Sequence, residues 1–479
     1  MSSEGAGAPD ARPLFSGASP REVAADLAPL VAFRQEGLPL EAVKSLVEER
    51  LLPHLMRYDA PSFHAMFNAF PEEGAAYGAG VALAWNQGVT NWQVSPGGAV
   101  LEELCCRSLC RLFGLAPEAE ATVLYCGSYA NQQALYLALC HRAERAGFDL
   151  ATRGLAGFED PGRLAVLASE DAHFSLKHGV RILGLGDEAL VPVAVDARRR
   201  MDVGTLRNTL EELQGQGARD VFCVVATAGT TSAGAVDPVA EMADVCAEHG
   251  AWLHVDGAYG LAYGLVPEWA PLFRGVDRAH TVSWDPHKQM GVPIPNSILF
   301  ARDRELFRPM ALFSHYWNRP DTEGPNPGVK SVPTTRPMAA LPLVTSILHQ
   351  GLGGVVERLR RPLEAIRGLY EALLHEPDAE PLHEPDTGIL CFRMTPPGVP
   401  PRELDRLQEQ IYGAILREGR RLISVTRLGG RAALRAVAIS PGVTAEALLE
   451  TVAEARRMAG ELARSDSEGP NLQGEEQVQ

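Results

Sequence analysis

Four short segments carry side chains able to do chemistry, each where an apolar run of strand character gives way to small or polar residues. In TVSWDPHKQMG the run stops at Asp285-Pro286 and presents His287 and Lys288. Lysine is usually a solvated surface charge, and it becomes a nucleophile where a pocket or a neighbouring carbonyl recruits it. The apolar strand before Lys288 and the Met-Gly-Val run after it are unusual surroundings for a solvated charge. In AWLHVDGAYG a strand delivers Asp256, followed by the small Gly257 and Ala258. That acid either caps a turn or holds a cation, and its neighbours leave room for a flat ligand near the backbone. In TVLYCGSYANQQAL a strand ends at Tyr125, Gly127-Ser128 turns the chain, and a helix begins near Ala130. Free N–H groups at a helix start plus a hydroxyl make a phosphate cradle; alone, the same residues are more often an ordinary N-cap and nothing more. In AVLASEDAHFSLKHG a loop bears His173 before a helix that Ser175 is placed to cap. A lone histidine is most often structural, so its claim rests on the other three.

These segments need a scaffold that brings strand ends together. Candidate strands are 121–125, 164–168, 221–226, 252–256, 281–284 and 297–301, and helical spacing fits 131–146, 175–183, 201–214 and 238–249. Strands alternating with helices imply βαβ units and a largely parallel sheet, whose ligands bind beyond the carboxyl ends of the strands. The expected fold is therefore α/β, a mostly parallel central sheet flanked by helices. Residues 1–20, rich in Gly, Ala, Ser and Pro, read as a mobile arm. Residues 21–90 form an N-terminal segment with helices broken near Gly37-Leu38-Pro39, then a loop-rich stretch. A strong helix runs from about Gly98 to Phe113 within a large domain spanning 91–341. A long helix follows Pro342 and opens a small C-terminal α+β domain over 342–463, with strands near 388–393 and 433–439. The acidic tail 464–479 is expected to be disordered.

Composition narrows the partners. Lys plus Arg number 44 and Asp plus Glu 60 in 479 residues, a net charge of −16. That argues against nucleic acid or an anionic membrane as partner. Eight cysteines are too sparse for a disulfide framework, and the Cys105, Cys106 and Cys110 cluster lacks zinc spacing, so no metal site is expected. No apolar run is long enough to span a bilayer, and the N-terminus has no signal-peptide pattern. A cytoplasmic protein acting on a small molecule is expected.

An acid, a lysine, a phosphate cradle and a histidine at strand ends together match the needs of pyridoxal 5'-phosphate: a lysine to form a Schiff base, an acid to keep the ring nitrogen protonated, and an anchor for the phosphate. From Asn91-Trp92-Gln93-Val94-Ser95-Pro96, through VVATAGTTSAGAVDPVAEMADVCAEHGAWLHVDGAYG and SWDPHK, to Leu434-Arg435, the chain resembles the group II pyridoxal-phosphate-dependent amino-acid decarboxylases, relatives of the aromatic-amino-acid and glutamate decarboxylases. The resemblance implies the fold type I architecture of the aspartate aminotransferases and decarboxylation of an L-amino acid to amine and carbon dioxide. It also implies a homodimer with its sites at the subunit interface. By position, Lys288 would form the Schiff base, Asp256 would pair with the pyridinium nitrogen, and Ala258 would pack on one ring face. His173 would stack on the other face and move protons. Gly127, Ser128 and His287 would hold the phosphate, and Thr227 would lie near the ring substituents. Tyr316, in SHYWNRPDTEG, takes the place of the catalytic-loop tyrosine that protonates the carbanion. Arg336 matches a structural or dimer-related arginine. Substrate selection in the family involves the positions of Phe63, Thr90, Asn91 and Trp92; Trp92 would floor an apolar pocket or belong to the core. No basic cluster marks a pocket for an acidic side chain, which favours an aromatic or aliphatic substrate over glutamate.

The chain departs from the family pattern at Cys126-Gly127, at Tyr129 where an acid is common, at Gly257 in place of alanine, and at Gln289 in place of an aromatic. Two rivals remain: another reaction of the same cofactor, such as a carbon–carbon lyase or an aldehyde-forming oxidase, and a non-catalytic relative. Tyr316 speaks against the oxidase, and retention of Lys288 and Asp256 against the non-catalytic reading. A nucleotide-binding Rossmann protein is disfavoured because no GxGxxG follows the first strand.

Overall fold

The computed structural model describes residues 13–215, 217–313 and 324–467. Contacts divide it into two units, one of Phe67–Leu363 with His383–Ile389, the other of Met1–Met66, Glu364–Leu382 and Leu390–Gln479.

The first unit is built on a seven-stranded sheet. Its strands are β1 (Glu120–Leu124), β2 (Leu164–Ser169), β3 (Leu190–Val193), β4 (Asp220–Thr227), β5 (Trp252–Asp256), β6 (Thr281–Trp284) and β7 (Ser297–Ala301), in the order β1-β7-β6-β5-β4-β2-β3. β3, β2, β4, β5 and β6 pair in parallel, while β7 runs against both β6 and β1. Strands such as LAVLAS and WLHVD are buried at every position, as expected when helices cover both faces of a parallel sheet. The helix Gly127–Arg145 packs Leu135 and Leu139 into a core with Val166, Phe222, Val225 and Trp252. Every strand expected here from sequence is present to within a residue or two. β3 was not expected: it is short and holds Pro192, which lacks an N–H and is tolerated on the sheet edge where β3 lies. The helix Glu73–Trp85 also lacked a sequence signal, because EGAAYGAGVALAW is small and apolar around its whole circumference and shows no 3.6-residue stripe.

The second unit contains β8 (Ala379–Pro381), β9 (Ile389–Met394), β10 (Ser424–Leu428) and β11 (Arg431–Val437), in the order β10-β11-β9-β8. The helices Leu404–Glu418 and Ala445–Ser467 close a core that includes Phe392, Ile411, Ile415, Leu434 and Val452. The last helix continues through Arg464 to Ser467, where the sequence reads as a disordered tail. At the other end, Ser19 forms a capping box with Glu22 on the helix Pro20–Leu27. Leu14 is only 1% exposed, and its N–H donates to the Gly419 carbonyl. Residues 13–20 of the expected arm are therefore held by a buried side chain and a cap. Among the described residues no helix is long and apolar enough to cross a membrane.

Buried histidines give the fold a pH signature. Burial lowers the imidazoles of His64, His254 and His383 to about 4 and that of His280 to about 3. The unfolded chain, with histidines near 6.5, then binds more protons between pH 6.5 and 4, so stability is lost as pH falls through that window. Asp237, raised to about 7 by burial, works in the opposite direction, as do Glu102 and Asp386, which burial also raises; the histidines that burial lowers, His141, His173 and His287 among them, outnumber these. The melting temperature is expected to fall by at least roughly 5 °C between pH 7 and pH 5; scanning calorimetry across that range checks it, and a flat profile would contradict it.

Candidate active site

Parallel pairing brings the predicted strand ends to one edge of the sheet. Thr227, Asp256 and Ser283 are register neighbours on β4, β5 and β6. The Asp256 carboxylate accepts from Asn131 Nδ2 (2.7 Å), the Ala258 N–H (3.1 Å) and the Ser283 hydroxyl (3.3 Å). Asn131 is itself fixed. Its Nδ2 also donates to Ser175 Oγ (2.9 Å), and its Oδ1 faces Ser283 Oγ and His254 Nε2, each at 3.0 Å. Nε2 of His254 thus faces an acceptor, while Nδ1 lies 3.0 Å from the Thr281 hydroxyl and 3.2 Å from the Thr281 carbonyl. Burial lowers the His254 imidazole to about 4.

Lys288 lies past the end of β6. Its Nζ is 3.3 Å from Asp285 Oδ2 and 5.3 Å from the centre of the Phe67 ring. Asp285 is buried; its Oδ1 accepts from the Ser297 hydroxyl (2.6 Å), and its N–H donates to the Ala258 carbonyl (3.1 Å). His287 turns Nδ1 to the backbone of Asn296 and Nε2 to Asp285 Oδ2 at 3.6 Å. His173 Nδ1 accepts from the Ser175 N–H (3.2 Å), so the histidine caps the helix Ser175–Ile182, and Ser175, the expected cap, instead uses its side chain on Asn131. Burial is the largest cause holding His173 and His287 below the usual imidazole range; Lys288 pushes the same way, while Asp285 opposes it at both and Asp256 opposes it at His173. The Phe174 ring, 65% exposed, stands 4.0 Å from the His173 ring.

The helix expected to begin near Ala130 starts at Gly127, with Cys126 as its N-cap and no side-chain cap bond. The Gly127 and Ser128 N–H groups have no partner among the described residues. A Cβ at Gly127 would lie 2.7 Å from Asp285 Oδ2 and 3.0 Å from Ala258 Cβ, so glycine lets the helix start approach the lysine segment. Gly127→Ala is expected to cost about 1–3 kcal/mol of stability through overpacking; a denaturant titration showing a loss under about 0.5 kcal/mol would contradict that contact. Gly257 is set by the same kind of packing: a Cβ there would sit 2.8 Å from the Ser283 carbonyl.

The other expected positions have contacts of their own. Phe63 belongs to the other contact unit, where it is 2% exposed and packs with Tyr58, Leu14, Ala60 and Leu422. Its ring is consumed by that core; the aromatic that reaches the lysine is Phe67. Thr90, Asn91 and Trp92 secure backbone. Thr90 Oγ1 donates to the Thr334 carbonyl (2.5 Å), Asn91 Oδ1 accepts from the Gln93 and Val94 N–H groups, and the Trp92 N–H donates to Pro325. The Trp92 side chain is 41% exposed and lies against Gly324, so it is not a core residue. Arg336 is buried in an ion pair with Glu102. Gln289 is buried and donates to the Tyr259 carbonyl. Tyr316 lies outside the described residues. Sequence reading missed Asn131, Ser283 and Phe67; Asn131 sits four residues after Gly127 on one helix, a spacing that puts both on the same face.

The "Pyridoxal-dependent decarboxylase conserved domain" matches residues 24–395. The chain belongs to that family. It is 30% identical over 451 residues to an L-2,4-diaminobutyrate decarboxylase of Rhizobium meliloti (strain 1021), covering 93% of this chain and 88% of the relative. It is 25% identical over 390 residues to an aromatic-L-amino-acid decarboxylase of Bacillus atrophaeus, covering 80% and 78%. Mouse CSAD superposes with a TM-score of 0.85 over 93% of each chain at 24% identity, a likeness of fold. Pyridoxal phosphate is the family's cofactor, and the strand ends fit it. Among the described residues, Thr227 Oγ1 is buried without a hydrogen-bond partner beside Asp256, and the helix start offers unpartnered N–H groups.

Proposed function

We propose that this member of the pyridoxal-dependent decarboxylases converts an L-amino acid to its amine and carbon dioxide with Lys288 as the residue that carries the cofactor. When bound, pyridoxal phosphate supplies an electron-withdrawing ring that takes up the electron pair left at Cα as carbon dioxide departs. Asp256, its orientation fixed by three donors, would face the ring nitrogen and keep it positively charged. Ala258 would lie against one ring face and His173 against the other. His173 Nδ1 is engaged by Ser175, which leaves Nε2 to hold or pass a proton near Cα. Gly127, Ser128 and the helix start would bind the phosphate, with His287 beside them, and the Thr227 hydroxyl would reach a ring substituent. Tyr316 is proposed as the group that returns a proton to Cα.

The observation that carries this reading is the gathering of Lys288, Asp256, His173 and an unpartnered helix start at one edge of the sheet. Phe67 against the lysine and Phe174 against His173 favour a substrate with a neutral side chain over an acidic one. The enzyme is proposed to work as a homodimer in the cytoplasm, where its eight free cysteines stay reduced. A panel of L-amino acids, with carbon dioxide trapped and products identified by mass spectrometry, tests the reading. One amino acid yielding its amine and carbon dioxide in equal amounts is expected; a 2-oxo acid or an aldehyde would overturn it.

A further inference from the structure

We infer that Asp285 is a positioning residue that takes charge of Lys288 whenever substrate displaces it from the cofactor. The inference rests on Lys288 being the cofactor-bearing residue and adds a partner for that lysine during turnover. A substrate amine arrives as an ammonium, and the lysine it displaces leaves as a neutral amine. One proton passes from the first to the second, so the exchange brings one additional positive charge into a partly buried site. Asp285 Oδ2 stands 3.3 Å from Nζ to receive it.

The carboxylate is built for a fixed position. The Ser297 hydroxyl, projecting from the adjacent antiparallel strand, donates to Oδ1, and the Asp285 backbone is tied to Ala258. Gly127 has no Cβ, and the carboxylate sits in the space that one would fill, 2.7 Å from its ideal position. Among the described residues, the charged or titratable groups that act on the pair and its neighbours include His287 on the same turn, His173 after β2 and Asp256 at the end of β5. Both histidines are held below the usual imidazole range, burial being the largest cause, so neither competes with the lysine as a cation. Asp256 is occupied by Asn131, Ala258 and Ser283. Among the described residues, Asp285 is thus the carboxylate in contact with Nζ.

An amine that exchanges with Lys288 but cannot lose carbon dioxide isolates this step. The probe is the amine product of the substrate found in the panel, titrated against holoenzyme while the cofactor's absorption is followed. With Asp285→Asn the half-saturating amine concentration is expected to rise about tenfold or more, since the released ammonium loses its partner. Pyridoxamine phosphate, which cannot bond to lysine, should bind the cofactor-free variant within about twofold of the parent by calorimetry. A general distortion of the site would weaken both. Ser297→Ala leaves the carboxylate in place but unfixed and should raise the amine constant by a smaller factor, about two- to fivefold, deciding the matter if the first variant does not fold. An unchanged amine constant, or equal loss of amine and pyridoxamine phosphate binding, would overturn the inference. Should the panel give no carbon dioxide, any primary amine that shifts the cofactor's absorption serves as the probe, and normal exchange would then refute the decarboxylase reading while leaving Asp285 intact.

Discussion

Replacing Lys288 with alanine lowers carbon dioxide release by at least about a thousandfold, because no other residue can replace the nucleophile. The side chain rises from a turn fixed by Asp285, with the Lys288 N–H bonded to the Asp285 carbonyl at 3.0 Å. Its loss removes the covalent hold on the cofactor and one cation near Asp285, but no core packing. The variant is therefore expected to fold, to melt within a few degrees of the parent, and to keep pyridoxal phosphate only through phosphate and ring contacts. Stopped-assay carbon dioxide capture reads the rate, and gel filtration with absorbance reads cofactor retention. Activity within tenfold of the parent would place the reactive amine elsewhere.

The second large effect is at Asp256. Asp256→Asn preserves shape and can still accept from the Ala258 N–H and the Ser283 hydroxyl, while removing the charge that would keep the ring nitrogen protonated. Groups that stabilise charge developing in the transition state are commonly worth about a hundred- to a thousandfold in rate, and kcat is expected to fall by that amount. Cofactor affinity should weaken far less, since the phosphate anchor and Lys288 remain. A kcat within about threefold of the parent would remove Asp256 from the electron-sink role. A variant that lost cofactor outright would make Asp256 a cofactor-binding residue first.

How far these residues were visible in the sequence depended on how local the signal was. Lys288 and Asp256 each follow an apolar run, and strand ends in a parallel sheet converge, so the strand pattern alone placed them together. Gly127 was legible for the same reason, although the helix begins three residues earlier than the apolar periodicity indicates. Its first turn contributes little to that stripe and is set by close approach to Asp285 instead. Phe63 and Phe67 show the limit. They occupy one loop-rich stretch with no periodicity, and only tertiary contacts send Phe63 into a hydrophobic cluster and Phe67 to the lysine. The Asp285–Ser297 bond needed the antiparallel β7, whose direction no local pattern encodes. Asn131 was hidden because a polar residue one turn into a helix reads as a solvent-facing position until its partners are known.

The central claim is that Lys288 carries the cofactor at this strand edge. Borohydride reduction of the holoenzyme, followed by proteolysis and peptide mass spectrometry, tests it most directly. The account predicts a single pyridoxyl-phosphate adduct on the peptide containing Lys288, absent from Lys288→Ala. An adduct on another lysine, or a reduced protein carrying none, would contradict it.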